Sequence, residues 1–334
     1  MQGNEDAMKI TMAHGSGGRT GAELMQKVFG RYFANDILDR MEDAAVLPLG
    51  GRTAFTTDSF VVTPLEFPGG NIGRLCVCGT VNDLLVMGAE PRYLSCGFIL
   101  EEGLDIDLLN RLVADMAAQA REAGVRIVAG DTKVVEGSGG LYINTSGLGV
   151  IPDGREISAA NCRPGDKVLC TGTLGDHHAC ILSARMGIEN EIRSDCACLG
   201  DITAALLDGG IDVRTMRDIT RGGLGTILNE LAGSSAADIV LQEEALPVSK
   251  EVEAFAGILG LDPLYMGNEG KLVVVVPGAQ ADEALTLIRR TEHGRNAAII
   301  GEVQEGGGQV HLITRLGASR PIDMLYGEGL PRIC

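Results

Sequence analysis

The chain contains no tryptophan and only 12 other aromatic residues, five tyrosines and seven phenylalanines. Its longest apolar run, Leu272 to Val276, falls far short of the roughly 20 residues a membrane-spanning helix requires, and fits a buried strand. Basic residues are scarce too: 28 Lys and Arg face 45 Asp and Glu, a net charge of −17. That balance excludes nucleic acid and anionic membranes as partners, because both demand a positive surface. The first residues lack the basic-then-apolar order of a signal peptide, so a cytoplasmic location is expected. Paired cysteine spacing is missing as well. The nine cysteines include no CxxC, and Cys76-Val77-Cys78 and Cys196-Ala197-Cys198 have poor spacing for a zinc knuckle. Small buried thiols in a reducing compartment are expected instead. The usual nucleotide signatures are also absent. No GxxxxGK(S/T) occurs, and His14-Gly15-Ser16-Gly17-Gly18-Arg19 has Thr20 where a GxGxxG loop needs its last glycine. Walker and Rossmann sites are therefore not expected.

What the chain does have is 334 residues, a hydrophobic share of 45% and 47 glycines, enough for two turn-rich α/β domains. Periodicity and turn clusters divide it into four stretches: residues 1–40, glycine-rich and then helical over Ala22 to Phe33; 41–155, a first domain; 156–313, a second α/β domain; and 314–334, a tail. Strands are expected at Ala45 to Leu49, Thr53 to Thr57 and Phe60 to Thr63. An amphipathic helix begins near Asn71, with Val77, Val81, Leu84 and Leu85 as its apolar stripe and Asp83 facing away. The tail carries Gly317, Pro321, Gly327, Gly329 and Pro331 with no sustained period, and is expected to move. It ends in Cys334, a thiol that can visit a partner and return.

Acids stand at strand ends: Asp58 after Thr57, Asp131 after Gly130, Glu42-Asp43 before Ala45, with Asp83 on the polar face of its helix. Such carboxylates suit a divalent ion that also takes phosphate oxygens, although each alone fits an ordinary cap or turn. Lys133 adds a cation near Asp131. Asp218-Ile219-Thr220-Arg221-Gly222-Gly223 opens a helix, where Asp or Thr caps it and bare glycine amides attract an anion.

Together these stretches resemble the HypE family of hydrogenase-maturation proteins, in the aminoimidazole ribonucleotide synthetase-like (PurM-like) superfamily. The resemblance rests on His14-Gly15-Ser16-Gly17-Gly18, Glu42-Asp43-Ala44-Ala45-Val46-Leu47, Thr57-Asp58-Ser59-Phe60-Val61-Val62, Gly79-Thr80-Val81-Asn82-Asp83, Ala129-Gly130-Asp131-Thr132-Lys133, Asn268-Glu269-Gly270 and terminal Arg332-Ile333-Cys334. Ile219, where proline is expected, and the cysteines at 76 and 78 depart from the pattern. The resemblance implies an α/β (α+β) fold of two PurM-like domains, an N-terminal half-barrel that pairs in a homodimer and a C-terminal α/β sandwich. It implies ATP with Mg²⁺ between the domains, bound by Asp43, Asp58, Asn82, Asp83, Asp131, Lys133, Thr220 and Gly222, with Asp43, Asp58, Asp83 and Asp131 on the metal. Cys334 would accept a carbamoyl group from the carbamoyltransferase HypF. ATP-dependent dehydration would convert that S-carboxamide to a thiocyanate, and the cyanide would pass to iron on a HypC–HypD complex, for nickel–iron hydrogenase assembly. Lys133 would serve as a catalytic cation, with Glu269 as proton acceptor and His14 as the other candidate. A small-molecule kinase or synthetase of the same superfamily, and a non-catalytic nucleotide-binding scaffold, compete with this reading; neither kinase nor synthetase explains the terminal thiol.

Overall fold

A computed structural model describes residues 9–15, 23–40, 45 and 47–324. The Ser16-Gly17-Gly18 turn, Asp43 and Cys334 lie outside the described residues.

The first sheet has four strands, β1 (Arg52–Phe60), β4 (Glu90–Glu101), β5 (Arg126–Val135) and β6 (Leu141–Ile151), in the order β1-β6-β4-β5. Only β4 and β5 run parallel, joined by a helix, α2 (Ile106–Glu122). A two-stranded ribbon, β2 (Glu66–Phe67) with β3 (Gly70–Asn71), leads into helix α1 (Ile72–Val86). Asn71 caps α1 by accepting a hydrogen bond from Arg74 N at 3.0 Å. α1 and α2 cover one face of the sheet. The other face leaves Phe55, Ile99, Val135 and Tyr142 exposed, at 66, 45, 38 and 37%.

The second sheet has seven strands: β7 (Asp166–Cys170), β8 (Thr215–Asp218), β9 (Asp238–Gln242), β10 (Leu272–Pro277), β11 (Ala298–Gln304), β12 (Val310–Ile313) and β13 (Ser319–Pro321). Their order is β13-β12-β9-β11-β7-β10-β8. The apolar run at the start of β10 is explained by its place. Val273 and Val275 face helix α5 (Gly223–Ser235), while Leu272, Val274 and Val276 face α4 (Gly200–Asp208) and α7 (Ala281–Arg289). A strand buried on both sides cannot alternate, and each of these side chains contributes about 1.5–3 kcal/mol by leaving water. Helices α3 (Asp176–Met186) and α6 (Lys250–Leu259) complete this half.

Several expectations change. α1 is not amphipathic: all its residues but Arg74 and Asp83 are buried, because β8 and α4 of the second half pack on the side that the first sheet leaves open. No strand forms over residues 47–49, where Pro48 lacks a ladder donor. The strand expected over Thr53 to Thr57 runs on to Phe60 as β1, whereas residues 61–63 form no strand, and β5 continues through Asp131, so both acids lie within strands rather than after them. The segment after 313 makes contacts with the second half as far as residue 323. β13 pairs with β12, Ile322 is buried, and the Tyr265 hydroxyl donates to Asp323 O at 2.8 Å.

Candidate active site at the domain seam

β1, α1 and β8 meet where three carboxylates gather. Along β1, Thr57 and Ser59 point outward and are exposed, so Thr56 and Asp58 turn toward α1. The Thr56 hydroxyl donates to Asp83 Oδ2 at 2.7 Å, and Asp58 Oδ1 accepts from Ser59 N at 2.7 Å. Asp218 closes β8 from the second half, paired with Leu272. Burial first, then the negative charge of Asp83, pushes the Asp218 carboxyl up to about 7; Arg217 opposes this and Asp58 adds to it. Asp83 is also raised, by burial and by Asp58, against the Thr56 hydrogen bond and the Arg217 charge. Acids held together with too little positive charge mark a place for a cation.

Past Asp218 the chain turns sharply. Gly222 and Gly223 take positive φ values of 80° and 64°, and a Cβ on Gly223 would meet Leu264 O at 2.5 Å. Gly222 is the N-cap of α5 and no side chain caps it, so neither Asp218 nor Thr220 fills the cap role. The first amides of α5 therefore remain without a side-chain acceptor, the arrangement that attracts phosphate. The Asn268-Glu269-Gly270 turn lies at the same end of this sheet, because Leu272 at the start of β10 pairs with Asp218 at the end of β8. Asp195 anchors that turn, accepting from Glu269 N at 3.1 Å and Gly270 N at 3.2 Å. Lys271 Nζ stands 3.3 Å from Asp195, a nearly buried ion pair. Asn268 Oδ1 accepts from Gly175 N at 2.7 Å. Glu269 is 4% exposed, held within the protein rather than hanging in solvent.

Other expected residues are placed elsewhere. Asn82 is 2% exposed, with Nδ2 donating to Ala197 O and Oδ1 accepting from Leu199 N, both at 2.9 Å. Its amide ties α1 to the second half. Asp131 and Lys133 form an exposed ion pair of 3.1 Å on β5, the edge opposite β1 and on the uncovered face. The Lys133 hydrogen bond holds the Asp131 carboxyl below its ordinary value. Within one chain they do not join Asp58 and Asp83. His14 also stands apart, in a helical turn packed on β5, with Nδ1 accepting from Thr11 N at 3.0 Å. Among the described residues of one chain no three acids, cysteines or histidines stand close enough to hold a metal by themselves, and Asp43 of the expected set lies outside them. Two carboxylates with phosphate oxygens remain a fitting donor set for Mg²⁺. Asp218 and Asp195 were missed as site residues. Asp218 read as a cap because its neighbours are Thr and Gly, and Asp195 sits in a loop with no pattern to mark it.

Models of the AIR synthase related protein family match both halves: its N-terminal domain over residues 41–151 and its C-terminal domain over 163–313. Over 335 residues, 98% of each chain, the sequence is 50% identical to carbamoyl dehydratase HypE of Rhodobacter capsulatus. The chain belongs to the HypE family. A crystal structure of a HypE in complex with ATP superposes with a TM-score of 0.93 at 48% identity, covering 97% of this chain and 99% of that one. A HypE chain in a HypE–HypF complex superposes with a TM-score of 0.80 at 44% identity, covering 90% and 99%. The HypE relationship thus spans both halves and the seam between them.

Proposed function

We propose that this protein is an ATP-dependent carbamoyl dehydratase that converts an S-carboxamide on Cys334 to a thiocyanate and so supplies cyanide for nickel–iron hydrogenase maturation. The observation that carries the reading is the HypE match over nearly the whole chain, together with the under-neutralised acids at the seam. The superfamily kinases share the fold but give Cys334 no task.

Nucleotide and metal fit this seam. Asp58, Asp83 and Asp218 offer negative charge to Mg²⁺, and the amides of α5 and Thr220 offer donors to phosphate. Bound ATP supplies the phosphoryl group that makes an amide oxygen a good leaving group. Glu269 takes a proton from the amide nitrogen as the C≡N bond forms, and Asp195 fixes the backbone of the turn that carries it. Burial excludes the water that would hydrolyse the activated amide. The protein acts as a homodimer through the uncovered face of the first sheet, where Phe55, Ile99 and Tyr142 gain an apolar cover. Asp131 and Lys133 then serve the site of the second copy, across that interface. HypF loads Cys334, a HypC–HypD complex takes the cyanide, and the work is done in the cytoplasm.

Intact mass spectrometry tests the function. Incubation with HypF and its carbamoyl donor should add one carboxamide, and ATP with Mg²⁺ should then remove one water. Both changes should be absent in Cys334→Ala. A carboxamide that ATP leaves untouched refutes the dehydratase reading.

A further inference from the structure

The two Cys-x-Cys pairs have no task in this chemistry, yet the fold brings them face to face. Cys76 and Cys78 lie on α1, Cys196 and Cys198 on the loop before α4. Cys198 Sγ stands 3.6 Å from Cys78 Sγ across the seam. Asn82 fixes this approach. It lies one helical turn beyond Cys78, and its two hydrogen bonds, to Ala197 O and from Leu199 N, bracket Cys198 in sequence. A disulfide requires the two sulfurs to close from 3.6 Å to ~2.0 Å. Zinc does not explain the cluster, because no three ligands converge among the described residues.

We propose that Cys78 and Cys198 are an oxidisable dithiol, a modification site at which peroxide forms a disulfide stapling the helix of Asp83 to the C-terminal domain. Cys198 is half-buried and Cys78 fully buried, so Cys198 meets oxidant first. A cavity of about 410 Å³ opens at the seam, lined in part by Arg74, Cys196 and Ala197, the last adjacent in sequence to Cys198, and has room for a small neutral oxidant. Hydrogen peroxide transfers one oxygen to the Cys198 sulfur, giving a sulfenic acid and one water. Cys78 sulfur then attacks Cys198 sulfur, the S–O bond breaks, and hydroxide leaves with the Cys78 proton as a second water. The two thiols are oxidised and the peroxide is reduced, so the electrons balance. Arg74 lies one turn before Cys78 and its charge faces Cys78 and Cys196. A guanidinium there favours the attacking thiolate, against the burial that otherwise keeps Cys78 protonated.

The test uses the full-length protein treated with hydrogen peroxide, quenched by alkylation, digested and mapped by mass spectrometry. A Cys78–Cys198 cross-linked peptide lacking two hydrogens should appear, and a dithiol reductant should reverse it. The link should persist in Cys196→Ser and Cys334→Ala. It should vanish in Cys198→Ser, with Cys78 recovered as free thiol, and in Cys78→Ala, with Cys198 oxidised but unlinked. A Cys78 link to Cys196 instead, or Cys198 oxidised in the unsubstituted protein while Cys78 stays free, overturns the proposal. Total resistance of both thiols to peroxide overturns it equally.

Discussion

Replacing Asp218 by asparagine should stabilise the metal-free protein, and should do so mainly at high pH. The folded-state pKa of Asp218 is raised from 3.8 to about 7. Because it is raised, each proton lost from Asp218 costs the folded state more than the unfolded one. The penalty is nearly absent below about pH 4, grows as pH rises, and is complete above about pH 7. A shift of about three units corresponds to about 4 kcal/mol at pH 8, and to about 2 kcal/mol at pH 5, where the folded-state carboxyl is still protonated. Asparagine carries no charge at either pH and nearly matches the carboxyl in size, so the difference between variant and parent reads the penalty directly. Urea unfolding of both proteins in chelator-treated buffer at pH 5 and pH 8 measures it. The gain should be about 2 kcal/mol larger at pH 8 than at pH 5. With Mg²⁺ and ATP present the ordering should reverse, because the parent's charge then has a partner and the variant has lost a ligand. A stabilisation equal at both pH values, or larger at pH 5, would show that Asp218 is not crowded by Asp83 and Asp58 and would sink the cation-site argument.

Two further outcomes test the framework around the site. Asn82→Leu should cost about 2–6 kcal/mol, since it leaves a buried carbonyl on Ala197 and a buried amide on Leu199 unpaired, at about 1–3 kcal/mol each; a loss near zero in chemical denaturation would show that these two bonds do not tie the halves together. Lys271→Met should cost about 3–5 kcal/mol by stranding Asp195, whose side chain is 4% exposed, and the double variant Lys271→Met with Asp195→Asn should recover much of the loss. A double variant as unstable as the single one would show that Lys271 acts by packing, not by charge.

The chain's local patterns specify most elements. The i, i+3, i+4 spacing of Leu224, Ile227, Leu228 and Leu231 predicts a helix, found at Gly223–Ser235. The apolar run from Leu272 to Val276 predicts a strand, found at Leu272–Pro277. Both signals are strong because burial imposes a period, or removes one, over a short window. Thr215–Asp218 carries no comparable signal: it is a four-residue edge strand whose partner lies far along the chain, so no window around it contains the cause of its structure. The sequence places Asp83 on a helix, but its local pattern shows only one apolar stripe, because the second covering surface comes from residues more than a hundred positions away.

The sequence by itself determined the two-half α/β organisation, the glycine corner at Gly222-Gly223, the Asn-Glu-Gly turn and the family, because these are carried by contiguous residues. Only the tertiary structure decided which acids share a site. Asp58 and Asp131 look alike in sequence, each within a run of β-type residues. Strand order and the two-residue alternation of side chains send Asp58 toward Asp83 and Asp218, and Asp131 to the opposite edge and the uncovered face. The same long-range packing made the Asn82 amide a tie between domains and set Cys78 against Cys198. A carboxylate, amide or thiol takes its role from the charges and donors around it, and here those come from the other half of the chain.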